Sequence, residues 1–242
     1  MSVSEEKRGS DLANNLTASA QRALGGDWQV KALHRLSGGA SQESWRFDLQ
    51  SGRQKQAMVL RRAPPGKKPR GFSTIDLDTE AKLLAVAQSA GVAVPSVRWQ
   101  LNAEDDCGTG YVMDAIEGET LPKKILMQAN LADARINLAR QCGENLARLH
   151  ALPKPQLPEM PYLSAAAQLQ QLRGLYDSFG EKRPVLELAF QWLSANTPES
   201  HIENQAQTQT LVHGDFRNGN LMVDEDGLRA VLDWELAHLG DP

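Results

Sequence analysis

From Trp28 onward, apolar and polar positions alternate. The segments "WQVKALHRL" and "ESWRFDL" flank "SGGASQ", which reads as a β-hairpin with a glycine-rich tip. "QAMVLRRA" predicts a third strand, stopped at Pro64 and Pro65, which offer no backbone donor. The period then lengthens, predicting a helix over about 75–90 with Gly91 as its stop. "SVRWQL" and "GYVMDAI" bracket a polar turn and predict two more strands. Beyond Gly118 the apolar residues Leu131, Leu138, Cys142, Leu146 and Leu149 recur at steps of three and four, as one stripe of a helix does. A linker carrying prolines 153, 155, 158 and 161 precedes two further helices, predicted over 164–179 and 183–194. At the other end, residues 1–10 are polar and expected to be disordered. A helix from Leu12 to Leu24 follows, ended by Gly25-Gly26.

The pattern divides the chain. After the 1–10 tail, residues 11–115 form a strand-rich half with one crossing helix, and residues 116–242 a helical half ending in a strand, a polar loop and a hairpin. The natural hinge is Asp114–Gly118. The fold class is α+β, and 242 residues suffice for two sizeable lobes. The net charge of −4 gives no electrostatic case for nucleic acid or an anionic membrane, so neither is expected as a partner. No apolar run is long enough to span a bilayer, and the polar N-terminus is not a signal peptide. Cys107 and Cys142 suggest neither a disulfide framework nor a metal knot, and a reducing cytoplasm is the expected location.

One span concentrates oxygen ligands. In "LVHGDFRNGNLMVDEDGLRAVLDWE", Asp226-Gly227 separates two apolar runs, a two-residue hairpin signal. That turn sets Glu225 opposite Leu228 and, further along, Asn220 opposite Asp233. Directly opposed Cβ atoms lie about 4.5–5.5 Å apart, which suits an amide oxygen and a carboxylate converging on Mg²⁺, a cation that takes oxygen ligands at about 2.0–2.1 Å. Asp215 precedes Asn220 by five positions, the D-x-x-x-x-N spacing of kinase catalytic loops, and there a carboxylate accepts the proton of an attacking hydroxyl. Asp224, Glu225 and Asp226 read as turn residues. His213 reads as a packed histidine shaping the loop and His150 as a helix-terminal residue, while His238 fits either a structural or a ligand role.

With "HGDFRNGN" and "VLDWELAHLGDP" preceded, in order, by "LSGGASQESW", "MVLRR", Glu80 and "YVMDAIEG", the chain resembles the aminoglycoside phosphotransferase-type kinases from about Leu16 onward. "LARLHAL" and "WLSANTP" are similar to the branch of that family attached to, or encoded with, acyl-CoA dehydrogenases. The resemblance implies a two-lobed protein-kinase-like fold, with the catalytic loop and hairpin in the helical lobe. It implies a donor, ATP with GTP as the alternative, together with Mg²⁺ and a small-molecule hydroxyl acceptor. Ser37, Gly38, Gly39 and Ser41 would cover the nucleotide phosphates, Asp114 and Ile116 would offer backbone groups to the base, and Glu80 would pair with the cation of the third strand. Where the family has lysine on that strand, this chain has Arg61, which binds phosphate through a planar fork. Arg62 points to the opposite face. The family continues past "GDP" into helices that complete its acceptor pocket, so a C-terminally short form is expected.

Three readings stay open: a kinase with Asp215 as base and Asn220 and Asp233 on the metal; a nucleotide-binding pseudokinase acting as a regulatory module; and a metal-dependent hydrolase using His213, Asp215, Asp233 and His238. Charges between Ala151 and Ala195 balance, which argues against a polycationic antibiotic. Lys67, Lys68 and Arg70 read as a solvated loop or as a contact for an anionic, CoA-like acceptor, and a hydroxyacyl compound is the favoured acceptor class.

Overall fold

A computed structural model describes residues 3–36, 42–63, 75–197 and 209–242. Five antiparallel strands, β1 (Gln29–Arg35), β2 (Glu43–Ser51), β3 (Gln54–Ala63), β4 (Val97–Gln100) and β5 (Thr109–Asp114), form one sheet in the order β1-β2-β3-β5-β4. Side chains of successive strand residues point to opposite faces, and this alternation sorts the sheet's two coats. On one face Met58, Leu60 and Val112 pack under helix α1 (Val3–Leu24), through its buried Leu12, Leu16 and Ala20. The helix is tied down at Asp105, whose Oδ2 accepts from Ser19 Oγ at 3.0 Å and from Arg22 Nη2 at 2.6 Å. It begins at Val3, so residues 3–10, where a disordered tail is expected, continue the helix.

The other face carries helix α2 (Leu77–Ser89), whose N-cap Asp76 accepts from the Thr79 N–H at 2.8 Å. Its Leu77, Ala81, Leu83 and Leu84 join Tyr111 in a cluster that runs on into the second half, through Leu149, Leu211, Leu221, Val231 and Trp234. One apolar core therefore bridges both lobes, and α2 sits on the boundary with Glu80 facing inward.

The second half contains α3 (Pro122–Met127), α4 (Ala132–His150), α5 (Ala165–Ser178) and α6 (Pro184–Ala195). Two short ribbons follow: β6 (Thr210–Val212) with β9 (His238–Gly240), and β7 (Leu221–Asp224) with β8 (Gly227–Val231). The α4 stripe is as expected, with Leu149 buried and Leu138, Cys142 and Leu146 packed on the core. Among the described residues no helix is long and apolar enough to cross a membrane.

The hairpin differs from its sequence-based register. Asp224 pairs with Gly227, so Glu225-Asp226 is the turn, and a shift between Met222 and Val223 then moves the pairing back by one position, leaving it one position from the expected register. Leu232, not Asp233, lies opposite Asn220, its N–H donating to the Asn220 carbonyl at 2.8 Å. The cause is tertiary. Gln141 on α4 clasps the turn, donating to Asp226 O at 3.0 Å and accepting from the Leu228 N–H at 2.9 Å. Gly227 (φ +116°) lies against that amide, where an added Cβ would overlap it. The glycine is needed for the clasp, which outranks the local preference for Asp-Gly at the turn's centre.

Candidate active site

β6 delivers the chain to His213, and the loop 213–220 is built around that ring. His213 is buried; its Nδ1 accepts from the Asp215 N–H at 3.2 Å and its Nε2 donates to the Leu232 carbonyl at 3.1 Å. Burial pushes its pKa down to about 4, so the ring is neutral at pH 7, as these two bonds require. Trp234 packs on it at 4.7 Å between ring centroids. Gly214 takes φ +81° with the Leu236 carbonyl where a Cβ would go, so only glycine lets the loop turn here. His213 is thus a brace between the loop and the strand end that precedes Asp233.

Both oxygens of Asp215 are engaged. Asn220 Nδ2 donates to Oδ2 at 2.7 Å and to the Asp215 carbonyl at 3.0 Å, and Arg217 Nε donates to Oδ1 at 2.9 Å. With the amide nitrogen committed, Oδ1 is the atom Asn220 has for a cation.

Asp233 closes the site from the other side. It is one of three non-glycine residues with positive φ (+62°) among those described, a conformation Asp tolerates better than most and one that gathers at functional sites. Its Oδ1 accepts from Arg61 Nη2 at 2.8 Å. Arg61 Nε reaches Glu80 Oε2 at 3.1 Å, and Nη2 also faces Glu235 at 3.5 Å. Burial opposes the Arg61 charge, but Glu80 leads the anionic groups that outweigh it, and the guanidinium stays protonated. Glu80 is 2% exposed; burial pushes its carboxyl up, against the pull of Arg61, and its Oε1 takes the Trp234 N–H at 3.3 Å. Burial, with Glu80 beside it, also holds the Tyr111 phenol well above its ordinary range. Arg62 turns to the other face, donating to Glu43 and to Cys107 O.

Residues 32–242 match the profile of the phosphotransferase enzyme family. The chain belongs to that family. Among relatives of this phosphotransferase chain, human acyl-CoA dehydrogenase family member 11 is 30% identical over 205 residues, which is 81% of this chain and 25% of that protein. The chain therefore spans about a quarter of the length of that relative. A Ralstonia eutropha JMP134 structure, described as a candidate aminoglycoside phosphotransferase, superposes with a TM-score of 0.69 at 22% identity, covering 95% of this chain and 66% of that one. Macrolide 2'-phosphotransferase MphH from Brachybacterium faecium gives 0.62 at 22% identity, over 95% and 74%. At such identities the likeness is one of fold: an antiparallel N-terminal sheet with a helical second half.

Against this phosphotransferase frame, the fold places Arg61 with Glu80 and Asp233, and Asp215 with Asn220, in two linked groups braced by His213. Ser37, Gly38, Gly39 and Ser41 lie outside the described residues, as do Lys67, Lys68 and Arg70. At the hinge, the Asp114 N–H is committed to Ser96 O at 3.0 Å, and Ile116 follows two residues on. The Asp114 side chain pairs with Arg98 at 2.6 Å, a structural role the sequence did not suggest. Two site contacts were also missed. Glu235 follows in the "DWE" motif, and Arg217 lies two residues after Asp215, but neither spacing says where the side chain turns.

Proposed function

We propose that this chain transfers the γ-phosphoryl group of ATP, with GTP as the alternative donor, to a hydroxyl of a small metabolite of the hydroxyacyl class. Asp215 accepts the hydroxyl proton while the acceptor oxygen bonds to the γ-phosphorus and the bond from that phosphorus to the bridging oxygen of the departing nucleoside diphosphate breaks. Asn220 orients Asp215 and turns its own Oδ1 toward the phosphate side. Arg61, held by Glu80, presents a guanidinium to the phosphates, and the Asp114 carbonyl and Ile116 backbone meet the base. The donor set fits Mg²⁺: Asn220 Oδ1 and the Asp233 carboxylate are hard oxygens, and that ion characteristically takes one or two carboxylates and completes its shell with phosphate oxygens and water. Magnesium, when bound, neutralises charge on the phosphates.

The observation that carries this reading is the Arg61 bridge, which joins Glu80 of the first lobe to Asp233 of the second at 3.1 and 2.8 Å. It speaks against the hydrolase reading that both ring nitrogens of His213, and both of His238, are spent on internal hydrogen bonds; His238 meets Leu236 O at 2.8 Å and Gln168 at 3.0 Å. The hydroxyacyl class rests on the acyl-CoA dehydrogenase relatives. The charges of α5 and α6 favour it over a polycation, because Arg173 and Lys182 are matched by Asp177 and Glu187.

A panel of hydroxy acids, hydroxyacyl-CoA esters, amino alcohols and sugars, assayed with ATP and GTP at saturating Mg²⁺, tests this. Nucleotide consumption that requires an acceptor from the hydroxyacyl group is the expected result. Tight Mg-dependent ATP binding with no turnover on any acceptor would instead support the pseudokinase reading.

A further inference from the structure

The Arg217 contact on Asp215 is left unused by the mechanism above. An arginine donating to the proton acceptor occupies an oxygen that the substrate hydroxyl must reach, so the contact is a cost unless it serves something else. Several features set this side chain apart. It is exposed, with 63% of its side chain open to solvent, unlike the 11%-exposed Arg61. Its Nε is on Asp215 Oδ1 at 2.9 Å and its Nη1 on the Asn218 carbonyl at 3.1 Å. Among the described residues, Nη2 donates no hydrogen bond. Gly219, at φ +104°, leaves room for the fold-back, since a Cβ there would sit 3.0 Å from Nη1. The loop thus holds a guanidinium beside the base with one edge turned outward.

An exposed ion pair is worth only about 0.2–1 kcal/mol, so Asp215 does not hold Arg217 firmly. Among the described residues, the other cation of the site, Arg61, is buried and already faces Glu80, Asp233 and Glu235. Any oxyanion brought in beside the reacting hydroxyl therefore has Arg217 as its available counter-charge. A hydroxyl within hydrogen-bond reach of Asp215 Oδ1 shares that oxygen with Arg217 Nε, so an acidic group a few carbons away lies over the open guanidinium edge. A carboxylate gains a two-pronged, charge-assisted contact there and draws the guanidinium off the base in the same event.

We propose that Arg217 is a specificity-determining residue that recognises an acceptor carryng a free carboxylate near its hydroxyl, and that the carboxylate uncovers Asp215 as it binds. The proposal rests on the phosphotransferase reading and narrows its acceptor to hydroxy acids over their neutral derivatives. The same oxyanion chemistry is offered by the transferring phosphoryl group, and the experiment separates the two.

Short hydroxy acids are each compared with their primary amides, in the wild type, Arg217→Gln and Arg217→Lys, with AMP-PNP affinity measured in parallel. The wild type should prefer the acids by at least about tenfold in kcat/KM, the worth of a charge-assisted hydrogen bond, with the difference mainly in KM. Arg217→Gln should bring the ratio to about one, and Arg217→Lys, which keeps the charge and loses the fork, should fall between. A wild type that does not favour any acid over its amide, or a ratio that survives Arg217→Gln, overturns the proposal. Equal loss on acids and amides, with weaker AMP-PNP binding, assigns Arg217 to the phosphoryl group and overturns it too. Asp215→Asn is the control on the underlying reading: turnover that persists in it defeats the mechanism itself, whatever Arg217 does.

Discussion

Arg61 and Asp233, 172 positions apart in sequence, meet at 2.8 Å where the sheet faces the second lobe. Glu80 completes the tie, since its two oxygens take Arg61 Nε and the Trp234 N–H. A strand, a helix and the end of a hairpin are therefore fixed to one another by charge beside the apolar core that they share.

Removing one partner of a buried pair leaves an uncompensated charge, which typically costs about 3–5 kcal/mol. Arg61→Met should destabilise the protein by that order in urea denaturation, and Arg61→Met combined with Glu80→Gln should recover part of it, because the stranded carboxylate is gone. A single mutant within about 1 kcal/mol of the wild type would show that the bridge contributes no more than an exposed pair.

His213 makes stability depend on pH in a defined window. Its folded pKa is depressed to about 4, below the usual histidine value of about 6.5. Between these values the unfolded chain binds a proton that the folded ring refuses, so its contribution is complete above pH 6.5 and is lost as pH falls toward 4. The linkage relation gives about 2 kcal/mol lost between pH 7 and pH 5. Denaturation of the wild type and of His213→Gln at both pH values isolates this term: the variant is less stable throughout but should lack that part of the pH slope. Parallel slopes would mean the ring is not held neutral.

At Gly214 the loop needs a backbone that L side chains rarely adopt, with the Leu236 carbonyl against the position of any Cβ. Gly214→Ala should cost on the order of 1–3 kcal/mol, read as a melting temperature lowered by several degrees. An unchanged melting temperature would indicate that the loop takes another path.

If Asp233 holds the metal, its charge matters more than its shape. Asp233→Asn should lower affinity for AMP-PNP at saturating Mg²⁺ by at least about tenfold, no less than the loss of an outer partner of a ligand costs. Binding measured with EDTA should change far less. Equal effects with and without Mg²⁺ would place the metal elsewhere.

Much of this was legible in the sequence. The alternation of Met58, Val59, Leu60 and Arg61 carries the sheet and its two coats, and it sends Arg61 toward α2 and Arg62 away, as observed. Spacing alone associates Asp215 with Asn220, and the two side chains do touch. The hairpin register was not legible, because Gln141, some 85 residues upstream, decides where Gly227 is needed. Nor was the positive φ of Asp233, a conformation Asp tolerates but does not announce in the sequence. The start of α1 was missed for a simpler reason: residues 3–10 are polar and lack the apolar period by which a helix is recognised.

The central claim is that Asp215 takes the proton of the attacking hydroxyl. Radiolabel transfer from γ-labelled ATP to a hydroxy acid, measured for wild type and Asp215→Asn alongside AMP-PNP affinity, tests it most directly. The account predicts that the variant binds the nucleotide within a few-fold of the wild type and transfers phosphate about 10²–10⁴-fold more slowly. Transfer by Asp215→Asn at the wild-type rate would contradict it.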